Sequence, residues 1–308
     1  MSCVREKVVL ADGAELERRL RACLERRELP DAFLYTGEAG SENWLRLDSC
    51  DDFPVASDLG EILQGNRAAI AKEIGERNLV SIGVGDGVKE RVLLKAMGGA
   101  RHYCCVDVSE RFVDMAIDEA EGAAERIVGV VSPIEELERI RAYWERPVAM
   151  CLLGNNFCNF EPDWLLERIR GVLGEDGLFV FDCSLLPVEA EAVERVYNSR
   201  ANRLFNAWPL LERGLAEDAY EFELKLIRTG NGDGGFWRTQ KRITVTRESF
   251  IRVDSAVLRM GAGETIEMGL TYKYVDGEVG EVLGRCGFEV VREFYDDARA
   301  NVIVIAKT

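Results

Sequence analysis

The sequence predicts an α/β fold, a parallel-sheet core with an added cap or substrate domain. Three observations carry this expectation. From residue 78 onward, short apolar runs alternate with stretches whose apolar residues recur at helical spacing. The first run leads into Ser81-Ile82-Gly83-Val84-Gly85-Asp86-Gly87-Val88-Lys89, a glycine turn placed between a strand and a helix. Between residues 188 and 275 the period changes, and a helical segment gives way to two stretches of two-residue alternation.

The apolar runs 79–84, 103–108, 127–131, 148–153 and 178–183 are the expected strands, and 89–97, 110–121, 134–143 and 162–173 the expected helices. Strands joined through helices form right-handed βαβ units, so they lie parallel in a sheet covered on both faces, as in a Rossmann-like fold. Near the end, 281–286 reads as the close of a helix, with Gly287 as its stop. The runs 288–295 and 301–306 then read as strands, with only Asp296-Asp297-Ala298-Arg299 between them. So short a connection predicts a hairpin and an antiparallel final strand on a parallel sheet. The alternating runs 220–228 and 237–246, divided by the glycine-rich 230–235, predict an inserted hairpin. The core is therefore expected over 60–195 and 275–308. Residues 1–59 and 196–274 form the expected cap, at the C-terminal edge of the sheet where open α/β folds bind ligands.

Composition narrows the function. With 308 residues, 47% of them hydrophobic, the chain can bury one substantial core or a core and a smaller domain. No run is long and apolar enough to cross a bilayer, and the opening MSCVREKVVLADG lacks the apolar centre of a signal peptide. A cytoplasmic protein without a membrane partner is expected. The nine cysteines are an odd number, several lie in apolar runs, no C-x-x-C occurs, and His102 is the only histidine. Neither a disulfide framework nor a metal site is expected. A net charge of −16 argues against a nucleic-acid partner, since phosphate binding draws on clustered Lys and Arg. A basic or zwitterionic small molecule is compatible with it. The sequence leaves the oligomeric state open.

Glycine without a Cβ lets the backbone turn sharply after the first strand, so Gly83, Gly85 and Gly87 are candidate cofactor contacts. The glycine spacing alone fits both a dinucleotide enzyme and one using S-adenosylmethionine (SAM). Lys89 at the helix start is placed to pair with the carboxylate of an amino-acid moiety, or to be a solvated lysine. Asp107, at the end of the second strand, is poorly placed for the core and well placed for ribose hydroxyls. After the fourth strand comes Cys151-Leu152-Leu153-Gly154-Asn155-Asn156-Phe157-Cys158-Asn159-Phe160-Glu161-Pro162. Its asparagines serve local turns, or one carboxamide accepts a hydrogen bond from a substrate amine and orients its lone pair.

That segment, together with Gly263-Glu264-Thr265-Ile266-Glu267-Met268-Gly269-Leu270-Thr271-Tyr272-Lys273-Tyr274, resembles the histidine-specific SAM-dependent methyltransferases, which trimethylate the α-amino group of histidine. Leu29-Pro30-Asp31-Ala32-Phe33-Leu34-Tyr35 followed by Gly40-Ser41 is similar to the family's Pro-Pro-Lys-x-Phe-Tyr-Asp with its downstream Gly-Ser, with one extra residue. Val196-Tyr197-Asn198 and Leu204-Phe205-Asn206 resemble its Ala-Tyr-Asp and Phe-Asn. The resemblance covers most of the chain. It implies a class I Rossmann-like SAM-dependent methyltransferase, with SAM as cofactor held by Gly83, Lys89 and Asp107. It also implies that Asn159, Tyr35 and Tyr197 hold the amino and carboxylate groups of an amino-acid substrate.

The departures bear on the acceptor. The family reads the imidazole with a Glu-x-Ser pair, and this chain has Gly269-Leu270-Thr271 in that register. A tyrosine pair of the family is replaced by Asp52-Phe53, and the acid expected after the third strand is missing from Val131-Ser132-Pro133-Ile134. One missing buried hydrogen-bonding partner costs about 1 to 3 kcal/mol, enough to change the preferred substrate. With Asp52, Phe53, Gly269 and Thr271 as its changed reader, the acceptor site is expected to prefer an amino acid other than histidine. Gly269 is expected to leave room for a larger side chain, and Asp52 to favour a cationic one. The expected activity is N-methylation of a free amino acid or an amino-acid-like metabolite. The alternatives are N-methylation of another small molecule, such as an alkaloid or peptide intermediate, and a catalytically silent SAM-binding regulator.

Overall fold

The computed structural model describes residues 3–50, 55–186, 190–229 and 236–308. The chain divides into two compact units, one made of Met1–Leu10, Val55–Leu186 and Tyr274–Thr308, the other of Ala11–Pro54 and Pro187–Lys273.

The first unit is built on an eight-stranded sheet of β1 (Val4–Val9), β3 (Asn78–Ile82), β4 (Ala100–Asp107), β5 (Ala124–Val131), β6 (Val148–Leu152), β7 (Leu178–Ser184), β14 (Glu289–Tyr295) and β15 (Asn301–Lys307). The strand order is β1-β5-β4-β3-β6-β7-β15-β14. The first six of these run parallel, and β15 pairs antiparallel with both β7 and β14. Helices α3 (Val55–Ile74), α4 (Val88–Ala96), α5 (Glu110–Glu119), α6 (Leu137–Ile140), α7 (Pro162–Leu173) and α10 (Glu278–Arg285) belong to the same unit. Every residue of β3 and β6 is buried, which is why the central strands read as unbroken apolar runs rather than alternating ones. The order reverses between β3 and β6, and open α/β sheets bind ligands at such a reversal, beyond the C-terminal strand ends.

The structure departs locally from expectation in two places. The expected helix over 134–143 is broken into a 3₁₀ turn at Ile134–Glu136, the single turn α6 and a second 3₁₀ turn at Arg141–Tyr143. The opening residues, expected in the cap, instead form β1 along β5, with Val4 beside Arg126 and Val9 beside Val131. β1 is an edge strand whose residues are mostly exposed, so it carries no continuous apolar signal.

The second unit contains α1 (Gly13–Glu25), β2 (Glu28–Leu29), α2 (Gly37–Asp48), α8 (Ala190–Tyr197), α9 (Arg200–Glu212), β8 (Tyr220–Arg228), β9 (Trp237–Val245), β10 (Ser249–Val253), β11 (Ala256–Met260), β12 (Thr265–Met268) and β13 (Tyr272–Lys273). β8 and β9 form the inserted antiparallel pair, in register from Tyr220 beside Val245 to Arg228 beside Trp237. β9 also pairs with β12 and β13, and β12 takes β2 as a parallel neighbour. Among the described residues no helix is long and apolar enough to cross a membrane.

Candidate active site

Three glycines after β3 all have left-handed φ, +65° at Gly83, +59° at Gly85 and +79° at Gly87, each for its own reason. At Gly83 a Cβ would lie 2.8 Å from Asn156 Nδ2, and at Gly87 2.7 Å from the Cα of Ala116 in α5. At Gly85 nothing lies within 4 Å of that position. Gly83 thus admits a loop contact, Gly87 a close helix approach, and Gly85 leaves the turn open to a ligand.

Two buried acids hold the turns on either side of the strand reversal. Asp107, at the end of β4, accepts from the Gly85 N–H at 3.0 Å and the Ser109 N–H at 2.9 Å. Burial pushes its carboxyl up to about 6, against the pull of those N–H groups. Asp182, near the end of β7, accepts from the Gly154 N–H at 2.9 Å and the Asn155 N–H at 2.6 Å. Burial raises it to about 6 as well, opposed by these N–H groups and the Lys89 ammonium. Lys89 reaches from α4 to the same turn, its Nζ 3.5 Å from where a Cβ on Gly154 would lie.

The asparagines after β6 divide their tasks. Asn155 accepts from the Ser184 N–H at 2.9 Å, and Asn156 donates to the Gly83 oxygen at 2.9 Å and to that of Leu153 at 2.7 Å. Both are committed to the fold. Asn159 is half-buried at the end of the 3₁₀ turn Asn156–Asn159. That turn is anchored by the Phe157 ring, stacked 4.1 Å from Phe181 between centroids. Within the first unit the structure therefore gathers Gly83, Gly85, Gly87, Lys89, Asp107 and Asn159 at the C-terminal ends of neighbouring strands.

Sequence reasoning missed three residues here. Asp182 lies inside the apolar run 178–183, with Cys183 and Ser184 still to follow in β7, so no strand-end position marked it. Asn156 lay in the asparagine run, but its partner Gly83 is 73 positions away. Glu90 is buried, with its Oε1 accepting from Ser81 Oγ at 2.7 Å. Its spacing to the buried Leu93 and Leu94 marks the inward face of α4.

The second unit holds the other candidates. Tyr35 follows the 3₁₀ turn Asp31–Leu34 and packs edge-on against Trp44 and Phe205, at 5.4 and 5.5 Å between centroids. Gly40 permits this, since a Cβ there would lie 2.7 Å from the Tyr35 carbonyl carbon. Tyr197 is buried at the end of α8, with Lys273 Nζ 5.1 Å from its ring centroid. Asn198 ties α8 to β8 through the Leu224 oxygen at 3.1 Å. Thr271 donates its N–H to Thr239 Oγ1 at 2.9 Å. Asp52 and Phe53 lie outside the described residues.

The expectation of spare room at Gly269 is overturned. A Cβ there would lie within 2.7 Å of three carboxylate atoms of Asp31. Asp31 in turn holds Lys241, whose Nζ lies 2.7 and 2.9 Å from the two carboxylate oxygens. The missing side chain is replaced by an ion pair arriving from two other elements. Sequence spacing gave no sign of it, because Asp31 and Lys241 are 210 positions apart.

These residues fit SAM. A ligand atom can lie directly on the open Gly85, and the Asp107 carboxylate, with roughly four acceptor positions, retains capacity for ribose hydroxyls. No curated protein matches the chain. Solved structures similar to it include the PH0226 protein of Pyrococcus horikoshii, at 13% identity and a TM-score of 0.46 over 86% of this chain and 97% of that one. A SAM-dependent methyltransferase of Clostridium acetobutylicum aligns at 10% identity and 0.44 over 86% and 95%. The SAM-bound amino pentose methyltransferase CalS10 of Micromonospora echinaspora aligns at 12% and 0.38 over 86% and 95%. The family model described as histidine-specific methyltransferase, SAM-dependent, matches residues 15–308, and with that span the chain belongs to this family of SAM-dependent methyltransferases.

Proposed function

We propose that this methyltransferase transfers its methyl group to an amine nitrogen of a free amino acid or an amino-acid-like metabolite, and that histidine is not its best acceptor. The observation that carries the second half is the Asp31–Lys241 pair over Gly269. An imidazole N–H is best read by a carboxylate with an unpaired oxygen, and here the nearest carboxylate is neutralised by a buried ammonium.

Gly83, Gly85, Gly87, Lys89 and Asp107 hold SAM in this reading, whose sulfonium supplies an already activated methyl group. Asn159 orients the nucleophilic nitrogen by accepting one of its hydrogens. Tyr35 and Tyr197 fix the acceptor, and Thr271 lines its side chain. In-line positioning of a neutral amine carries the catalysis, without a histidine base. Mass-detected transfer from SAM to each common amino acid tests the reading. Transfer to an amino acid other than histidine is expected, and histidine as the best acceptor would sink it.

A further inference from the structure

The Glu90 carboxyl lies directly behind the glycine turn and has no task in the scheme above. It is 1% exposed, in the first turn of α4 beside Lys89. Its Oε1 accepts from Ser81 Oγ at 2.7 Å, two residues before Gly83. Its Oε2 has no hydrogen-bond partner among the described residues, and neither has the buried Tyr103 hydroxyl. Ser81 stands between Cys105 of β4 and Cys151 of β6 in register, so these three side chains share the sheet face that α4 covers.

The groups around Glu90 offer it little. Lys89 on its own helix and Ser81 favour the ionised form, and Asp86 opposes it. From the sheet it meets Tyr103, Cys105 and Cys151, all held neutral by burial. The described buried side chains of α3, which packs on α4, are all apolar, and Glu119 of α5 pairs outward with Arg91 at 2.6 Å. Burial thus pushes Glu90 up to about 7 and leaves it poised near neutrality. Asp107 and Asp182, raised only to about 6, are mostly ionised there.

We infer that Glu90 discriminates between cofactor and product by charge, losing its proton when SAM binds and retaining it when S-adenosylhomocysteine takes the same place. SAM carries a sulfonium that its thioether product lacks, and a nearby positive charge favours the carboxylate. The inference rests on the glycine turn as the SAM site. At a pH above the midpoint of Glu90 the site then favours the cationic ligand, and below it the preference fades.

Calorimetric titration of SAM and of S-adenosylhomocysteine, at pH 6, 7 and 8 in two buffers of different ionisation enthalpy, tests this. At pH 7, release of roughly a third to half of a proton per SAM is expected beyond that in Glu90→Gln, and clearly less for the product. The ratio of product Kd to SAM Kd should rise by up to about tenfold between pH 6 and 8 in the wild type, relative to the variant. The ligands' own amino groups titrate equally against both proteins, so the difference isolates Glu90. Ser81→Ala removes the bond favouring the carboxylate and should move the midpoint upward, giving a second readout. SAM binding with identical proton release in wild type, Glu90→Gln and Ser81→Ala overturns the inference while leaving the cofactor site standing. No SAM binding by the wild type overturns both.

Discussion

Asn156 donates from Nδ2 to the carbonyl oxygen of Gly83 at 2.9 Å, and this bond ties the turn after β3 to the turn after β6 at the point where the strand order reverses. The contact exists because Gly83 has no Cβ, which would lie 2.8 Å from that nitrogen. Both turns are then pinned from the outer strands, by Asp107 and Asp182.

Gly83→Ala should therefore cost about 1–3 kcal/mol in unfolding free energy, from its positive φ and the displaced carboxamide, and weaken SAM binding tenfold or more. Asn156→Ala in the same chain should return part of that loss, since the two sites share one contact. Denaturant unfolding and calorimetry on the single and double variants measure this coupling. Additive losses would show that Asn156 is not what constrains Gly83.

Asp107→Ala should impair SAM binding first, and transfer only as a consequence. Asn159→Ala should lower kcat by about 10²-fold or more with the SAM Kd within a few-fold of wild type, as expected for a group that orients the acceptor. Single-turnover methyl transfer at saturating SAM, beside calorimetric Kd values, separates the two. If both variants keep both properties, the site is elsewhere.

Lys241→Met leaves the Asp31 carboxylate buried without its cation, so a destabilisation of several kcal/mol is expected, about 3–5 where such a pair is fully enclosed. The freed carboxylate should raise turnover of histidine relative to other amino acids by several-fold. Gly269→Ala should cost about 1–3 kcal/mol by displacing Asp31, and less in an Asp31→Ala background. An unchanged acceptor profile in Lys241→Met would remove the Asp31 pair from the account of specificity.

The pH dependence of stability has a definite sign at Glu90. Its carboxyl is raised from 4.5 to about 7 in the folded chain, so folding takes up a proton between these values. Its contribution is fully present below the unfolded value and is lost as pH rises through about 7, by roughly 3 kcal/mol at most. Glu90→Gln should therefore gain stability relative to wild type on going from pH 5 to pH 8. Parallel denaturant curves at both pH values check it, and a constant difference between the proteins would contradict the assignment.

Much of the core was legible because burial on both faces writes itself into the chain. The strands Asn78–Ile82, Val148–Leu152 and Leu178–Ser184 lie within two residues of the expected runs, and the helix Pro162–Leu173 coincides with its expected span. Pro162 at its start and Gly174 after it mark both ends chemically. The edge strand β1 was not legible, since only one residue of Val4–Val9 is even partly buried. In the site, Asp107 could be found from its place at a strand end, whereas Asp182 sits within its strand and carried no such mark.

By itself, then, the sequence determined the alternation of strand and helix, the glycine turn with its acid, and the family, because each is a local pattern set by burial period and backbone freedom. Only the tertiary structure decided that Gly83 makes room for Asn156, that Glu90 turns inward to Ser81, and that the space beside Gly269 belongs to Asp31 and Lys241. Those pairings join residues far apart in the chain or, for Glu90 and Ser81, a helix to the strand before it. Which of them meet depends on how the elements pack, and a glycine in sequence does not say whether its missing side chain leaves a space or admits a neighbour.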